Sequence, residues 1–342
     1  MTHNALQSLL QSFESLTILV LGDFFLDRYL MIDPDRAEPS IETGLEAHQV
    51  IEIRNSPGAA GTVTNNLCAL GVGRVVTLGV IGQDGHGYDL RQALEAIRVD
   101  TSALITSSDR YTPTYTKPIN TVTGDEMSRL DVKNRTATSD AIQDDLIGRL
   151  GELYDQVDGI IVLDQVQEAD CGVVTSRVRD RLAELAAADD RPVLADSRSN
   201  IDRFNNVILK PNDDELEAMV SDIRAPESAA VNLANRKGRP VILTRGADGI
   251  IASDGEQSWT IPGIAVPDPI DIVGAGDSVS ASVTSALAAG ASLEDAAQLG
   301  VLVSSITIQQ IGTTGTASPN QILQRSAKPW VIDDAQKEDG KM

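Results

Sequence analysis

The chain has 342 residues, of which 42% are hydrophobic and 23% are charged. This apolar content is enough for a folded core and excludes global disorder, and the length fits two domains or one large α/β unit. The formal net charge is −22. Because so negative a surface repels phosphate backbones and anionic lipid, we expect neither nucleic-acid binding nor membrane association.

The predicted elements alternate between short apolar runs and helical periods, which is typical of an α/β fold with a sheet flanked by helices. The first predicted strand is Thr17–Gly22. A helix at 57–70, a strand at 75–81 and a helix at 88–97 follow it. The other predicted strands are 159–163, 192–195, 207–209 and 241–244. The other predicted helices are 173–187, 213–220, 275–289 and 292–309.

Two stretches break this alternation. Residues 28–56 contain prolines and end in a period-two pattern, and residues 111–133 alternate polar and apolar side chains. We interpret both as strands that leave the main sheet and form a small β-lid on one domain of residues 1–326. Open strand edges favour pairing with a second subunit, which predicts a homodimer through the lid. Residues 327–342 are predicted to be a polar tail.

The cysteines and the N-terminus bear on the cellular compartment. Cys68 and Cys171 have neither CxxC spacing nor a partnering histidine, which predicts inert thiols in a reducing compartment. Apolar runs stay shorter than about 18 residues, and the N-terminus lacks the basic and apolar regions of a signal peptide. We therefore expect a cytoplasmic protein.

The segment DIVGAGD at 271–277 carries the strongest local signal for chemistry. Gly274 and Gly276, with Ala275 between them, allow backbone amides to approach an anion, and the following helix adds its N-terminal partial positive charge. The carboxylate of Asp277 could accept a proton from a hydroxyl beside those amides. The alternative is a glycine turn capped by an aspartate, which is a common way to begin a helix.

This segment fits the pattern D-x-x-G-A-G-D, and five more segments accompany it: GDFFLDRY from residue 22, GAAGTVTNN from 58, PNDDE from 211, TRGADG from 244 and GTTG from 312. Together they resemble the motifs of the PfkB, or ribokinase-like, carbohydrate kinases over residues 17–325. The resemblance implies a ribokinase-like three-layer fold with a central, mostly parallel sheet and a small β-strand lid. It also implies ATP-dependent phosphorylation of a sugar hydroxyl.

Within that family, the chain is most similar to the kinase domain of heptose-7-phosphate kinases. The likeness includes MSRLD at 127–131 and the ending IGTTGTASPNQIL. The departures lie on the substrate side: Ala59 follows Gly58 where a second glycine is usual, Thr62 stands in place of an asparagine, and DQVQE replaces D-Y-x-K-G at 164–168. The identity of the sugar therefore stays open. We see no adenylyltransferase region after the kinase region and expect a single activity.

The resemblance assigns the phosphoryl-transfer residues. Asp277 is the expected general base, and the amides of residues 274–277 are the expected anion hole. Asn212 and Glu215 are expected to organise Mg²⁺, with Glu215 acting through water, and Asp271 is a candidate for a monovalent cation such as K⁺. For Asn212 and Glu215, a helix-capping box fits the same spacing.

The acceptor side is expected to involve Asp27, Gly58, Thr62, Asn66 and Arg129. The alternatives are a strand-end turn for Asp27 and helix packing for Gly58, Thr62 and Asn66. If the acceptor is already phosphorylated, one or two basic residues of or near the lid should clamp it bidentately. The candidates are Arg36, Arg110, Lys117 and Arg129; otherwise they are surface charges.

The nucleotide is expected beside Thr244, Gly246 and Gly249, with the loop from Gly312 to Gly315 walling the adenine. Asp196 and Arg198 follow a predicted strand and could reach phosphate, or they belong to a solvated loop. The sequence therefore predicts an ATP-dependent kinase with a sugar or sugar phosphate as its small-molecule partner. The alternatives are a nucleoside, fructose or ribose kinase of the same fold, or a non-catalytic binding member.

Other chemistries lack support in the sequence. A Walker A motif is absent, and no G-x-G-x-x-G follows the first strand. The three histidines lack ligand spacing, so we expect no transition-metal site.

Overall fold

The computed structural model describes residues 1–219 and 225–327. Its strands, in chain order, are β1 (Thr17–Gly22), β2 (Phe24–Pro39), β3 (Glu46–Ala59), β4 (Arg74–Leu78), β5 (Val80–Gly82), β6 (Ile105–Ser107), β7 (Thr114–Asn120), β8 (Leu130–Val132), β9 (Gly159–Asp164), β10 (Val193–Ser197), β11 (Ile208–Leu209), β12 (Val241–Thr244), β13 (Ile250–Ser253) and β14 (Ser258–Ile261).

The helices of the described residues are α1 (His3–Ser12), α2 (Ala60–Leu70), α3 (Gly85–Ala96), α4 (Asp140–Tyr154), α5 (Ser176–Ala186), α6 (Asp213–Met219), α7 (Pro226–Lys237), α8 (Ala275–Ala288), α9 (Leu293–Thr307) and α10 (Pro319–Ser326). Within this part of the chain, none of them combines the length and apolar character needed to cross a membrane.

The central sheet has eight strands in the order β14-β13-β12-β11-β10-β9-β1-β4. The six neighbouring strands β4, β1, β9, β10, β11 and β12 run parallel. At the other edge, β13 is antiparallel to β12 and β14 is antiparallel to β13. Its middle strands are buried on both faces, which explains their continuous apolar runs. The predicted mostly parallel α/β fold is confirmed.

Two hydrophobic clusters form the core, one on each face of the central sheet. Successive residues of β1 alternate between them, with Ile18 and Val20 in one cluster and Leu19 and Leu21 in the other. The first cluster also contains apolar residues of α1, α2, α3, α8, α9 and α10. The second contains apolar residues of α4 to α7. The result is three layers, with the carboxyl ends of the parallel strands meeting at one edge.

A separate four-stranded sheet, in the order β3-β2-β7-β8, stands beside this edge. It is built from the two stretches that the sequence predicts as lid strands. The pairing β2–β3 is antiparallel and the pairing β2–β7 is parallel. We refer to this sheet as the lid sheet.

Two predicted boundaries are corrected, and two predicted segments are not described to their ends. The helix predicted at 57–70 begins at Ala60, because residues 57–59 still belong to β3, where Ala59 pairs with Phe24. The strand predicted at 75–81 divides at Gly79, where a Cβ would lie only 2.6 Å from the carbonyl oxygen of Gly22. Helix α6 is described as far as Met219, and the predicted tail lies outside the described residues beyond 327.

Candidate active site

Charged side chains converge where β10 and β11 end. Lys210 follows β11, and its ammonium lies 2.8 Å from Oδ2 of Asp196 on β10. Ser280 of α8 donates its hydroxyl to the same oxygen at 3.3 Å. Lys210 also borders the turn of residues 274–277, called the glycine turn below, because a Cβ on Gly276 would lie 3.4 Å from its Nζ. Two strand ends and the first turns of α8 therefore form one polar cluster, which also includes Asp277 and Glu215.

The carboxyl of Asp277 lies in the first turn of α8 and is largely withdrawn from water. Burial, reinforced by the charge of Asp196, raises the pKa of Asp277 to about 7, while Lys210 and Arg198 oppose the shift. A carboxyl with this pKa is a much stronger base than an exposed aspartate and still ionises near neutral pH. Both properties suit a general base.

The glycine turn before α8 exposes backbone donors. Gly274 has φ +81°, a left-handed conformation that favours glycine, and it occupies the N-cap position of α8. Among the described residues, the amides of Gly274, Gly276 and Asp277 find no acceptor in the protein. The amide of Ala275 instead donates to the carbonyl oxygen of Ile272 at 3.1 Å. The expected anion hole is therefore corrected to three amides, without Ala275.

Asp271 ties this turn to the loop that begins at Gly312. One carboxylate oxygen accepts the amide of Val273 at 3.0 Å, and the other accepts the amide of Gly312 at 3.1 Å. Asp271 therefore fixes the position of two loops relative to each other. Its role toward a monovalent cation stays a prediction, since both oxygens already accept an N–H.

Asn212 and Glu215 form the capping box that was the alternative interpretation of their spacing. The Asn212 amide donates to Glu215 at 2.9 Å, and the Glu215 amide donates to the Asn212 side chain at 2.8 Å. Burial raises the pKa of Glu215, the bond from Asn212 opposes the shift, and Asp196 adds to it.

These residues also fit a magnesium ion. Carboxylate oxygens are its preferred ligands, and Glu215 and Asp196 influence each other electrostatically beside the glycine turn. In the described chain, no three histidine, cysteine or acidic side chains form a metal cage. A Mg²⁺ ion there would keep several waters, which agrees with the expected contact of Glu215 through water.

The residues predicted for the nucleotide differ in their surroundings. Thr244 donates its amide to Pro211 at 2.9 Å and so lies beside Asn212. A Cβ on Gly249 would overlap Ile261, and one on Gly315 would overlap Thr307, so both glycines are required by close chain packing. At Gly246 and Gly312, a Cβ would instead meet nothing within 4 Å, and this open space remains available to a ligand.

On the lid sheet, Asp27 of β2 has a cation partner, and its role as an acceptor contact stays a prediction. Its carboxylate lies 3.5 Å from the ammonium of Lys117. Burial raises the pKa of Asp27, and Lys117 opposes the shift. Gly58 on the neighbouring strand lies against it, since a Cβ there would be 2.5 Å from Oδ2 of Asp27. A buried carboxylate with one cation partner can still accept hydrogen bonds from a hydroxylated ligand.

We expect Gly58→Ala to raise the KM for the acceptor on the order of tenfold or more, because the new methyl group must displace Asp27. The KM for ATP should stay close to that of the original protein. Steady-state kinetics with each substrate varied in turn measure this. The control is Gly85→Ala, where a Cβ meets nothing within 4 Å. An unchanged acceptor KM in Gly58→Ala would remove Asp27 from the acceptor site.

Thr62 and Asn66 are buried within the protein, and their role toward a ligand stays a prediction. Asn66 is fully buried, and its side-chain amide donates to the Thr62 carbonyl oxygen at 3.0 Å within α2. Thr62 is 2% exposed, and its methyl group would lie 3.3 Å from a Cβ on Gly274. Thr62 of α2 therefore lies against the glycine turn, and α2 packs against α8.

Comparison with known proteins identifies the family. The pfkB family of carbohydrate kinases matches residues 28–321. The chain belongs to this family. Its relatives include proteins called bifunctional protein HldE: one from Trichlorobacter lovleyi is 30% identical over 94% of this chain, and one from a Caulobacter species is 32% identical over 91%. The chain spans 65% and 63% of the lengths of these two relatives.

Solved structures of pfkB-like kinases share the fold. A ribokinase from Arabidopsis thaliana, complexed with ribose and ATP, is 17% identical, with a TM-score of 0.66 over 92% of this chain and 99% of its own. The phosphofructokinase-2 from Escherichia coli, in complex with potassium, is 21% identical, with a TM-score of 0.68 over 91% of this chain and 98% of its own. The predicted ribokinase-like fold is confirmed.

The basic residues predicted to clamp an acceptor of this pfkB kinase lie in different places. Arg129 pairs with Asp131 at 2.8 Å and lies 4.7 Å from the ring centre of Tyr115. Arg36 is exposed and pairs with Asp33 at 2.8 Å. Lys117 is the partner of Asp27.

Arg110 lies in a cavity of about 100 Å³ next to the lid sheet. Its guanidinium donates to the carbonyl oxygens of Thr136, at 2.7 Å, and Cys171. Arg198 and Lys133 line the same cavity, and Lys133 lies 5.5 Å from the ring centre of Tyr115. Three cations therefore surround one small cavity in a protein whose net charge is strongly negative.

Sequence reasoning missed two further polar groups. Asp23 is buried beside this cavity, and its oxygens accept the amides of Gln165, Val166 and Val173 at 2.7–3.1 Å. Burial raises its pKa to about 6, and the bond from Val173 opposes the shift. Lys210 was missed as well, although a lysine directly after a buried apolar strand is a signal that could have found it.

The cysteines carry no sign of reactivity. Cys68 and Cys171 are free thiols, and burial raises the pKa of Cys68 to about 11.

Proposed function

We propose that the protein transfers the γ-phosphoryl group of ATP to a hydroxyl of a sugar or sugar phosphate. The observation that carries this proposal is the Asp277 carboxyl, with a pKa of about 7, adjoining the unpaired amides of the glycine turn. Electrostatic contacts continue from Asp277 to Arg198, from Arg198 to Tyr115 and from Tyr115 to Asp27. These couplings support a proposal in which the base and the acceptor residues serve one site.

The chemistry assigned to the residues is direct transfer. The acceptor hydroxyl, held by Asp27, gives its proton to Asp277 as its oxygen attacks the γ-phosphorus. The amides of Gly274, Gly276 and Asp277 donate to the phosphoryl oxygens, where negative charge must be stabilised. Bound Mg²⁺ supplies further charge neutralisation of the ATP phosphates. Closure of the lid sheet over the acceptor would exclude water and limit ATP hydrolysis.

The proposed acceptor is a phosphorylated sugar similar to heptose 7-phosphate. The support for a phosphorylated acceptor is the cavity beside the lid sheet, where Arg110, Lys133 and Arg198 gather against the two acids Asp23 and Glu168. The relatives named bifunctional protein HldE add support, since two of them are 30% and 32% identical over 94% and 91% of this chain. The alternatives are a nucleoside, fructose or ribose kinase and a non-catalytic binding member.

The test is a substrate panel with ATP and Mg²⁺, read out as ADP release and as phosphorylated product by mass spectrometry. We expect the highest kcat/KM with a seven-carbon sugar phosphate, lower values with shorter sugar phosphates, and the lowest with neutral sugars and nucleosides. A preference for nucleosides or for neutral hexoses and pentoses would favour the alternative kinases. ATP binding without turnover of any acceptor would favour the non-catalytic member.

We also propose a homodimer formed through the lid sheet. Its edge strands β3 and β8 carry exposed apolar residues, including Ile51, Ile53 and Leu130, which are 50–63% exposed. Burying this surface and pairing the open strand edges would both favour association.

A further inference from the structure

Arg198 is held in a fixed position in the cavity beside the lid sheet, two residues beyond Asp196 of the polar cluster. It follows the last residue of β10, and its amide donates to the Asp164 carbonyl oxygen at 3.1 Å. The side chains of Ser197 and Asn200 both donate to Oδ2 of Asp164, at 2.7 and 3.1 Å. Since Asp164 is itself buried, the loop that carries Arg198 is fastened on both sides of that residue.

The guanidinium of Arg198 makes neither a hydrogen bond nor an ion pair within the described part of the chain, whereas Arg129 and Arg245 of the same region pair with carboxylates. Its charge also opposes the upward pKa shifts of Asp277 and Tyr115. Five N–H donors of the guanidinium therefore remain available at the cavity that Arg198 lines, close along β10 to the pair of Asp196 and Lys210.

Lys210, the other cation of this region, already has a carboxylate partner. Lys210 is 4% exposed and paired with Asp196 at 2.8 Å, so its charge is already balanced inside the protein. A planar guanidinium can bind two oxygens of a phosphoryl group at once, which a paired ammonium cannot do. The glycine turn provides amides from one side only. A second set of donors has to come from the side of Arg198.

We propose that Arg198 is a catalytic residue whose guanidinium binds the non-bridging oxygens of the phosphoryl group during transfer. This inference rests on the proposed function. The bond from the acceptor oxygen to the γ-phosphorus forms, the bond from phosphorus to the β,γ-bridging oxygen breaks, and ADP leaves. The hydroxyl proton passes to Asp277. Arg198 forms no covalent bond and keeps its proton throughout, so its whole contribution is to the charge of the transition state.

The test compares Arg198→Met, Arg198→Lys and the control Arg203→Met. Arg203 follows the same strand and is exposed, but its charge acts on Asp164 and not on Asp277. With the best acceptor of the panel, we expect Arg198→Met to lower kcat on the order of 10²–10³-fold. Arg198→Lys should retain part of the activity, and Arg203→Met should match the original protein. Added guanidinium ion should restore activity to Arg198→Met and leave Arg203→Met unchanged.

A second readout follows from the charge that Arg198 places near Asp277. The midpoint on the acid side of the pH profile of kcat/KM should move to higher pH in Arg198→Met, because the ionised Asp277 carboxylate loses a stabilising cation. Thermal unfolding and ATP titration check that each variant is folded. If Arg198→Met folds poorly, Arg198→Lys keeps the charge and carries the comparison.

Three results would overturn the inference. If Arg198→Met keeps its kcat and raises only the acceptor KM, the guanidinium binds the acceptor in the cavity that it lines. If both Arg198 variants retain the original kcat, Arg198 takes no part in transfer, although the proposed function stands. If the original protein phosphorylates none of the acceptors, the proposed function fails, and the role of Arg198 fails with it.

Discussion

Replacing Asp277 by asparagine should lower kcat on the order of 10²–10⁴-fold, because the acceptor hydroxyl loses its proton acceptor. The amides of Gly274 and Gly276 remain in place, so ATP should still bind. ADP release and ATP titration measure the two effects separately. The control Asp140→Asn makes the same change in the first turn of α4, at an exposed residue, and should leave kcat unchanged. Retained activity in Asp277→Asn would remove this residue from proton transfer.

The pH dependence follows from the pKa of about 7. Only the ionised carboxylate can accept a proton, so kcat/KM should fall tenfold per pH unit on the acid side of that value. Asp196 pushes the midpoint upward, whereas Lys210 and Arg198 push it downward. A profile that stays flat down to pH 5 would show that the base has an ordinary carboxylate pKa and would contradict the raised pKa of Asp277.

The same shift has a consequence for stability. The pKa of Asp277 is raised on folding from 3.8 to about 7, so the folded state binds the proton more tightly than the unfolded state. The contribution of the protonated Asp277 carboxyl to the free energy of unfolding is present at low pH and is lost as the pH rises through 7. Asp277→Asn avoids the cost of the buried charge and should be more stable than the original protein at pH 8, on the order of a few kcal/mol. The difference should shrink toward pH 4.

Much of the fold could be predicted because its signals are local. Central parallel strands are buried on both faces, so β1 and β9 are continuous apolar runs in the sequence. The start of α8 is marked by Gly274, whose left-handed conformation few other residues adopt. Both kinds of signal can be found without knowing which segments meet in space.

The sequence is least informative where a role depends on distant partners. Asn66 is polar and follows a glycine-rich segment, yet its side chain is fully buried. The Ala275 amide is engaged by a turn bond to Ile272, which the motif itself does not reveal. Lys210 becomes part of the site only because the neighbouring strand places Asp196 against it. The sequence identifies candidate groups, and the tertiary pairing decides which of them are free.

Lys210→Met should be the most destabilising single change in the site. Lys210 is buried and paired with Asp196, and burial opposes its charge while the attraction of Asp196 outweighs this and raises its pKa. Removing one member of a buried ion pair leaves the other charge uncompensated, at a typical cost of about 3–5 kcal/mol. Chemical denaturation at pH 8 measures the loss. The control Arg149→Met breaks a more exposed pair on α4 and should cost less than about 1 kcal/mol.

A double variant separates the loss of the pair from the loss of packing. Asp196→Asn removes the carboxylate charge that Lys210→Met leaves behind, so the double variant should be more stable than Lys210→Met alone. The double variant should be inactive, because the carboxylate of Asp196 and the ammonium of Lys210, which lie beside the glycine turn, are both gone. If the double variant is instead less stable than either single variant, the two side chains act independently, and the ion pair does not organise the cluster. Stability and turnover would then have to be assigned to Lys210 and Asp196 one at a time, with Ser280, which donates to Asp196, as the remaining link to α8.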